Sequence, residues 1–391
     1  MNPQHHAFAR SDRSRLGVWW WTTDHILLGA TAILIAIGVL LSFANSPAAA
    51  ERLNLGDPFH FAVRQSIFAI GGAVVLLAVS MMTPKGVKRA AFFIYLASIA
   101  VMIALPLLGH HAKGATRWLE VGGFTLQPSE FMKPALIVLA AWMFSEGQKG
   151  EGVPGVSIAF VLYGLAVFLL LLQPDVGQTI LITIAFGAAF FMAGVPFAWI
   201  IGLLVVAGIG GVGLYFAFDH VSSRVNSFLS HDHAGAQADP NQIRHALEAI
   251  AAGGWFGQGP GEAVLKRQLP DVHTDFAYAG GAEEFGLVFS LFLIGLFAVI
   301  VLRGLYKSMK LADTFDQVAA GGLFVLMGQQ VFINIAMELR LIPTKGMTLP
   351  FISYGGSSML AMGLTLGMAL ALTRKRPGAY TPTEGPNGAF A

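Results

Sequence analysis

The sequence predicts an all-α polytopic membrane protein with ten transmembrane helices and one large extracytoplasmic loop between spans 7 and 8. Three observations carry that expectation. Hydrophobic residues make up 55% of the 391-residue chain and charged residues only 12%, a balance foreign to soluble domains. Apolar runs of about 20 residues, the length that crosses a bilayer, recur along the chain. Basic residues gather in short clusters beside alternate run ends, as cytoplasmic loops do. The net charge of +2 gives no argument for nucleic acid as a partner. The absence of cysteine excludes a disulfide framework, a thiolate nucleophile and a thiolate metal site.

Residues 1–23 form a basic, aromatic lead-in, in which Arg10, Arg13 and Arg15 precede the interfacial anchor Trp19-Trp20-Trp21. No small-residue cleavage pattern follows the first apolar run, so it is read as a retained span and not a signal peptide. The first three runs are 24–43, 61–82 and 91–108, with Arg64 near the start of the second. The fourth begins inside Gln127-Pro-Ser-Glu130-Phe-Met-Lys133 and ends near 144, and the next three are 156–172, 177–194 and 196–218. A long polar loop, 219–273, leads to the eighth run at 285–302. The ninth, 317–339, is interrupted by Asn334 and Glu338, and the tenth ends at Arg374-Lys375-Arg376, before a tail at 377–391. Ten spans put both termini on one side. Lys85, Lys88, Arg89, Lys149, Arg303, Lys307 and Lys310 fall on that side with the terminal clusters, so both termini are expected in the cytoplasm.

Other cations break this pattern. Arg117, Lys133, Arg224, Arg244, Lys266, Arg267 and Lys345 fall outside the membrane or in its outer half. Singly, each suits a solvated or snorkelling side chain. Together with the acidic stretch 271–284 they suggest an outward-facing, mixed-charge cavity at headgroup depth, suited to a lipid phosphate or pyrophosphate. In that stretch Asp271, His273, Asp275, Glu283 and Glu284 lie at or just outside a membrane boundary, where ionisable groups are expensive unless solvated, paired or used on a substrate. The bland alternative is that Thr274 or Asp275 caps the coming helix.

Gly257-Gln-Gly259-Pro-Gly261 has no preceding strand and no Walker lysine, so it is read as a flexible loop allowing close backbone approach and not as a nucleotide cradle. His231, His233, His245 and His273 lack metal-site spacing. Gly355-Gly356-Ser357-Ser358 fits small-residue helix packing; with Ser353 and Lys345 nearby it equally fits a headgroup phosphate.

The succession Arg117-Trp, Gln127-Pro-Ser-Glu130-Phe-Met-Lys133, Gln173-Pro-Asp175, Leu269-Pro-Asp-Val-His-Thr-Asp275-Phe with Ala-Glu283-Glu284-Phe-Gly, and Pro343-Thr-Lys-Gly-Met-Thr-Leu-Pro-Phe-Ile-Ser-Tyr-Gly-Gly-Ser-Ser358 closely resembles the SEDS family of bacterial shape, elongation, division and sporulation proteins. The match runs in order from about Trp20 to Arg376, and Gln-Pro-Ser-Glu-Phe and Pro-Thr-Lys-Gly-Met-Thr-Leu-Pro look more like the division branch than the elongation branch. The chain departs from the family in the large loop, where Gln242-Ile-Arg-His-Ala-Leu-Glu248 replaces the usual Gln-Leu-Thr-Gln-Ser.

The resemblance implies a peptidoglycan glycosyltransferase that polymerises lipid II at the outer face of the cytoplasmic membrane during cell division. Undecaprenyl pyrophosphate would leave with inversion, and a class B penicillin-binding protein and other divisome membrane proteins would be the partners. By motif, Asp275 is the family's essential acid, acting as general base or holding a divalent cation such as Mg or Mn on the pyrophosphate; no cofactor is otherwise implied. Arg64, Arg117, Glu130, Lys133, Arg224, His273, Lys345, Ser353 and Ser357 are the candidates for substrate contact. Arg117, Lys133 and Arg224 would stabilise the charge growing on the leaving group, and Glu130, three residues before Lys133, is placed to pair with it. Two other classes remain open: a lipid II flippase, which would need ionisable groups along a path near the membrane midplane, and a non-catalytic divisome scaffold, in which Asp275 would be replaceable.

Overall fold

The computed structural model describes residues 14–108, 110–112, 115–121, 124–150, 152–194, 197–217, 222–223, 226, 240–343 and 346–375. Candidates Arg224 and Lys345 lie outside the described residues, as do Arg10, Arg13, Arg376 and the tail 377–391. A short helix α1 (Arg15–Thr22) leads into α2 (His25–Arg52), α3 (His60–Ser80) and α4 (Pro84–Leu108). Strands β1 (His110–Ala112), β2 (Ala115–Val121) and β3 (Phe124–Leu126) precede α5 (Pro128–Gln148), α6 (Gly155–Leu172), α7 (Val176–Met192) and α8 (Phe197–Ala217). Then come α9 (Pro240–Ala252), a single 3-10 turn (Leu265–Gln268), α10 (Ala277–Ser308), α11 (Thr314–Glu338) and α12 (Gly356–Thr373).

Each of the ten apolar runs lies on one of these helices. Among the described residues seven, α2, α3, α4, α6, α10, α11 and α12, are long and apolar enough to cross a membrane. Local chemistry sets their starts. Asp24, Asp175 and Asp313 accept backbone N–H bonds at the N-termini of α2, α7 and α11, and Pro128 opens α5, where its missing N–H costs nothing. Helices α5, α11 and α12 form the buried centre, whereas Phe168, Ile209 and Leu302 on α6, α8 and α10 expose more than half of their surface. Apolar side chains face outward in such numbers only where the surroundings are lipid.

Glycines set how closely the helices approach. A Cβ on Gly363 of α12 would lie 2.3 Å from the carbonyl oxygen of Gly72 on α3, so these two backbones touch. Gly356 packs likewise on the Phe68 ring. This is the small-residue packing that Gly355–Ser358 suggested. At one end of the bundle Asp24 of α2 pairs with Arg303, 3.0 Å away, and with Lys307, both from the end of α10. Arg374, just past α12, reaches the Ser80 carbonyl at the end of α3. The start of α2 and the ends of α3, α10 and α12 therefore share one face of the molecule.

Four features depart from the sequence reading. The fold is not purely helical: β1, β2 and β3 form an antiparallel sheet in that order between α4 and α5. Its signal is the β-branched and aromatic content of 115–121. Second, α10 begins at Ala277, ahead of the apolar run, and is broken at Gly286 (φ 81°, ψ −176°). Third, the described part of the large loop is folded, as α9, the 3-10 turn and the Gly-rich segment that follows α9. Fourth, the segment before α12 folds back into the bundle and does not stay at its rim. A Cβ on Gly38, halfway along α2, would sit 2.0 Å from the Phe351 carbonyl oxygen. Irregular backbone at such depth is tolerated because it is enclosed by protein.

Candidate functional site

At the opposite face from the Asp24 cluster, the segment 269–276 enters α10. Thr274 Oγ1 binds the Asp271 carbonyl (3.3 Å), and the N-cap of α10 is Phe276, with no side-chain cap of its own. The cap position of α10 is thus held by Phe276 and not by Thr274 or Asp275. Asn334 of α11 donates to the Asp275 carbonyl (3.1 Å), and the Asp275 carboxylate abuts Gly346, where a Cβ would come within 2.6 Å of Oδ2. The Asp275 carboxylate thus faces the re-entrant segment that precedes α12.

His273 packs among aromatic rings. Its ring stacks on Phe61 (centroids 4.2 Å) with Tyr354 beside it (5.7 Å), and its carbonyl accepts from Tyr354 N (2.8 Å). Burial pushes its pKa down from 6.5 to about 4, against the opposing pull of Asp271. The imidazole is therefore neutral at physiological pH and supplies no cation. Ser353 uses its hydroxyl to accept from Leu349 N (2.8 Å), closing the turn, and Gln65 of α3 holds its carbonyl (3.1 Å). Ser357 is buried at the start of α12. Arg64, one residue before Gln65, is exposed.

Glu283 and Glu284 are not a solvated acidic rim. Both are buried; the Glu283 side chain holds the 3-10 turn, and the Glu284 side chain holds the end of the Gly-rich loop. Glu283 accepts from Leu265 N (2.8 Å) and Lys266 N (2.7 Å); Glu284 accepts from Gly261 N (2.7 Å) and pairs with Lys266 Nζ (2.5 Å). Around the break at Gly286, Gln258 N and Gly259 N donate to the carbonyls of Glu283 and Glu284. Leu287 N and Val288 N donate to Gly254 and Trp255. The loop thus replaces the hydrogen bonds that the broken helix loses. Gly257 (φ 83°) makes this possible, because a Cβ there would lie 2.1 Å from the Glu284 carbonyl oxygen. Close backbone approach is what the glycines provide. Of the other cations expected on the outer side, Arg244 pairs with Glu248 and Arg267 lies 3.8 Å from Glu51.

A second polar group sits where β2, α5 and α7 meet. Arg117 donates to the carbonyls of Gln173 (2.8 Å) and Pro174 (2.6 Å) and lies 3.9 Å from Asp175, with about a quarter of its side chain exposed (28%). Lys133 is fully enclosed. Its ammonium binds Glu130 and Gln178, each at 2.9 Å, and Gln178 donates back to Glu130 (2.8 Å). The predicted Glu130–Lys133 pair is formed, but Lys133 does not project into an open headgroup region; an anion reaching it must displace this network. Gln178 was missed in the sequence, although a polar residue three positions after Asp175 in an apolar run was its signal. Among the described residues no three His, Cys, Asp or Glu side chains gather to hold a metal. Of the described residues, Asp275 offers a carboxylate that would suit a cation bound mainly by phosphate, as magnesium often is.

Fold and site together define a multi-pass helical membrane protein whose polar, enclosed groups gather at the end of the bundle opposite its basic cluster. The family model described as "cell cycle protein", FtsW/RodA/SpoVE, matches residues 24–377, and the chain belongs to that family. It is 69% identical to the "probable peptidoglycan glycosyltransferase FtsW" of Caulobacter vibrioides, over 98% of this chain and 97% of that one. A relative with the same description from Halothiobacillus neapolitanus is 34% identical over 89% of this chain and 85% of its own. Among solved structures it resembles a chain described under "structural coordination of polymerization and crosslinking by a peptidoglycan synthase complex" (TM-score 0.73, 26% identity, 90% of this chain and 98% of that one). It also resembles the rod shape determining protein RodA of Thermus thermophilus (TM-score 0.65, 26% identity, 90% and 97%).

Proposed function

We propose that this chain is a division-type peptidoglycan glycosyltransferase that polymerises lipid II at the outer face of the bacterial cytoplasmic membrane. The observation that carries this reading is the 69% identity, over almost the whole chain, to a relative described as a probable peptidoglycan glycosyltransferase FtsW. In the reaction, the 4-hydroxyl of the acceptor sugar attacks the anomeric carbon of the donor chain. The bond to undecaprenyl pyrophosphate breaks with inversion. Asp275 takes the acceptor proton as general base, its backbone held by Asn334 and its carboxylate lying beside Gly346. A divalent cation carried on the pyrophosphate would have Asp275 as its protein carboxylate and would neutralise phosphate charge. Arg117, the part-exposed cation of the second polar group, stabilises the leaving pyrophosphate. Arg224 and Lys345, outside the described residues, stand as further candidates for that role.

Ten spans, with both termini and the 303–316 loop in the cytoplasm and the 219–273 loop outside, complete the reading, and the basic clusters support it. A class B penicillin-binding protein is the proposed partner; the likeness to a chain of a peptidoglycan synthase complex supports this. The test is purified protein in lipid supplied with labelled lipid II, with and without its cognate transpeptidase. Glycan strands made from lipid II on the same side of the membrane support polymerisation. Transbilayer movement of labelled lipid without glycan would assign a flippase instead, and neither activity would leave a scaffold.

A further inference from the structure

One face at the outer end of α11 carries the polar side chains Gln330, Asn334 and Glu338 in a mostly apolar helix. Their spacing of four puts them on one face, and their relative exposures are 2%, 0% and 0%. Polar groups buried this way in a membrane helix are costly and persist where they are used. Each here binds backbone at the site. Gln330 Nε2 donates to the Thr348 carbonyl (3.0 Å). Asn334 Nδ2 donates to the carbonyls of Met347 (2.6 Å) and Asp275 (3.1 Å). Glu338 Oε2 accepts from Ala279 N (2.7 Å).

The last contact meets a specific need. The first N–H groups of any helix lack internal acceptors, and α10 has no side-chain cap of its own at Phe276. Glu338 supplies the acceptor from the neighbouring helix, at the N-terminal end of the 277–285 half-helix. Residues 275–279 are therefore pinned at both ends, at the carbonyl of Asp275 by Asn334 and at the amide of Ala279 by Glu338. The re-entrant segment 346–348 is tied to the same helix face by Asn334 and Gln330. The Asp275 carboxylate lies between these two anchored pieces, against Gly346.

We propose that Gln330, Asn334 and Glu338 form a positioning ladder that fixes Asp275 for its reaction, with Glu338 acting as a cap delivered across the helix interface. Glu338 is a positioning residue: it touches the α10 backbone and acts through Asp275. This inference rests on the reading of Asp275 as the reacting carboxylate.

The discriminating pair is E338M and E338Q in the full-length protein in lipid. Methionine keeps the volume and apolar fit but removes the acceptor; glutamine keeps an acceptor oxygen for Ala279 N–H. E338M is expected to lower kcat for lipid II polymerisation roughly 10- to 100-fold, the usual cost of about 1 Å of misplacement, with KM within about twofold. E338Q is expected within about threefold of wild type, since capping needs an acceptor and not a charge. Hydrogen–deuterium exchange of 277–280 should quicken in E338M and not in E338Q, a readout independent of turnover. Wild-type kcat in E338M, or equal loss in both variants, overturns the proposal. So does an E338M protein that fails to accumulate, which would make the residue one of global stability. D275N run alongside separates the two readings. If D275N turns over like wild type, the role of Asp275 fails, while the exchange data still decide whether Glu338 caps α10.

Discussion

Replacing Lys133 with Met tests whether the enclosed Glu130–Lys133–Gln178 network is held by charge balance. The ammonium lies 2.9 Å from Glu130 Oε1, and the side chains of the pair are 0% and 5% exposed. Removing it leaves the Glu130 carboxylate buried with the Gln178 amide as its described donor, because Glu130 Oε2 has no hydrogen-bond partner among the described residues. Breaking a buried pair in this way costs about 3–5 kcal/mol, since the remaining charge stays in a low-dielectric site. Adding Glu130→Gln removes that charge, so the double variant should recover about 2 kcal/mol or more of the loss. The Lys149–Glu146 pair is the internal comparison: its side chains are 48% and 22% exposed, and the same cycle there should give about 1 kcal/mol or less. Thermal unfolding of the purified variants in detergent micelles gives the order. K133M should melt lowest, the E130Q/K133M protein should return toward wild type, and the Lys149 variants should barely move. A K133M protein as stable as wild type, or a double variant no better than K133M, would refute the reasoning.

Three further outcomes follow from the site. Because His273 has a pKa of about 4 against 6.5 when unfolded, the unfolded chain binds the extra proton between those values. Its stabilisation is full above about pH 6.5 and is lost as pH falls toward 4, by about 3 kcal/mol in all. Melting curves should show that fall in wild type and a shallower one in His273→Phe. Gly257→Ala forces a Cβ to 2.1 Å from the Glu284 carbonyl at φ 83° and should cost about 3 kcal/mol or more, whereas Gly254→Ala, with open space around it, pays only the left-handed strain of about 1–2 kcal/mol. Thermal shift and yield of the two proteins decide it. Arg117→Ala should lower kcat/KM for lipid II polymerisation by about 1.5–3 kcal/mol of lost charge-assisted bonding, while exposed Lys310→Ala at the other end should not. Lys307 is unsuited as that control, because it pairs with Asp24.

The helical framework was legible because hydrophobic runs report burial in lipid directly, and the ten runs each landed on a helix. The Glu130–Lys133 pair was also legible, from its i, i+3 spacing; Asp275 stood out by its motif, and its catalytic role is proposed. The remainder depends on which backbone meets which side chain, and local patterns do not encode that. Glu283 and Glu284 read only as ionisable groups at a membrane boundary because nothing in their neighbourhood names their partners, the amides of 261, 265 and 266 and the Lys266 ammonium. The break in α10 was hidden because Gly286 stands in a run that looks continuous, and the loop that repairs it comes from residues 254–259. Asn334 and Glu338 were visible as interruptions of an apolar helix. Their spacing of four marked a common face, but only the fold shows that the face meets the Asp275 segment.

The central claim, that Asp275 performs the chemistry of glycan polymerisation, is tested most directly by Asp275→Asn in the purified protein, reconstituted in lipid with labelled lipid II. Asparagine keeps the shape and the backbone bond from Asn334 but removes the charge, and the cap position of α10 belongs to Phe276. Loss of strand synthesis by on the order of 10²-fold or more, with melting temperature and membrane level unchanged, is the predicted result. Glycan strands made by the Asn variant at the wild-type rate would contradict it.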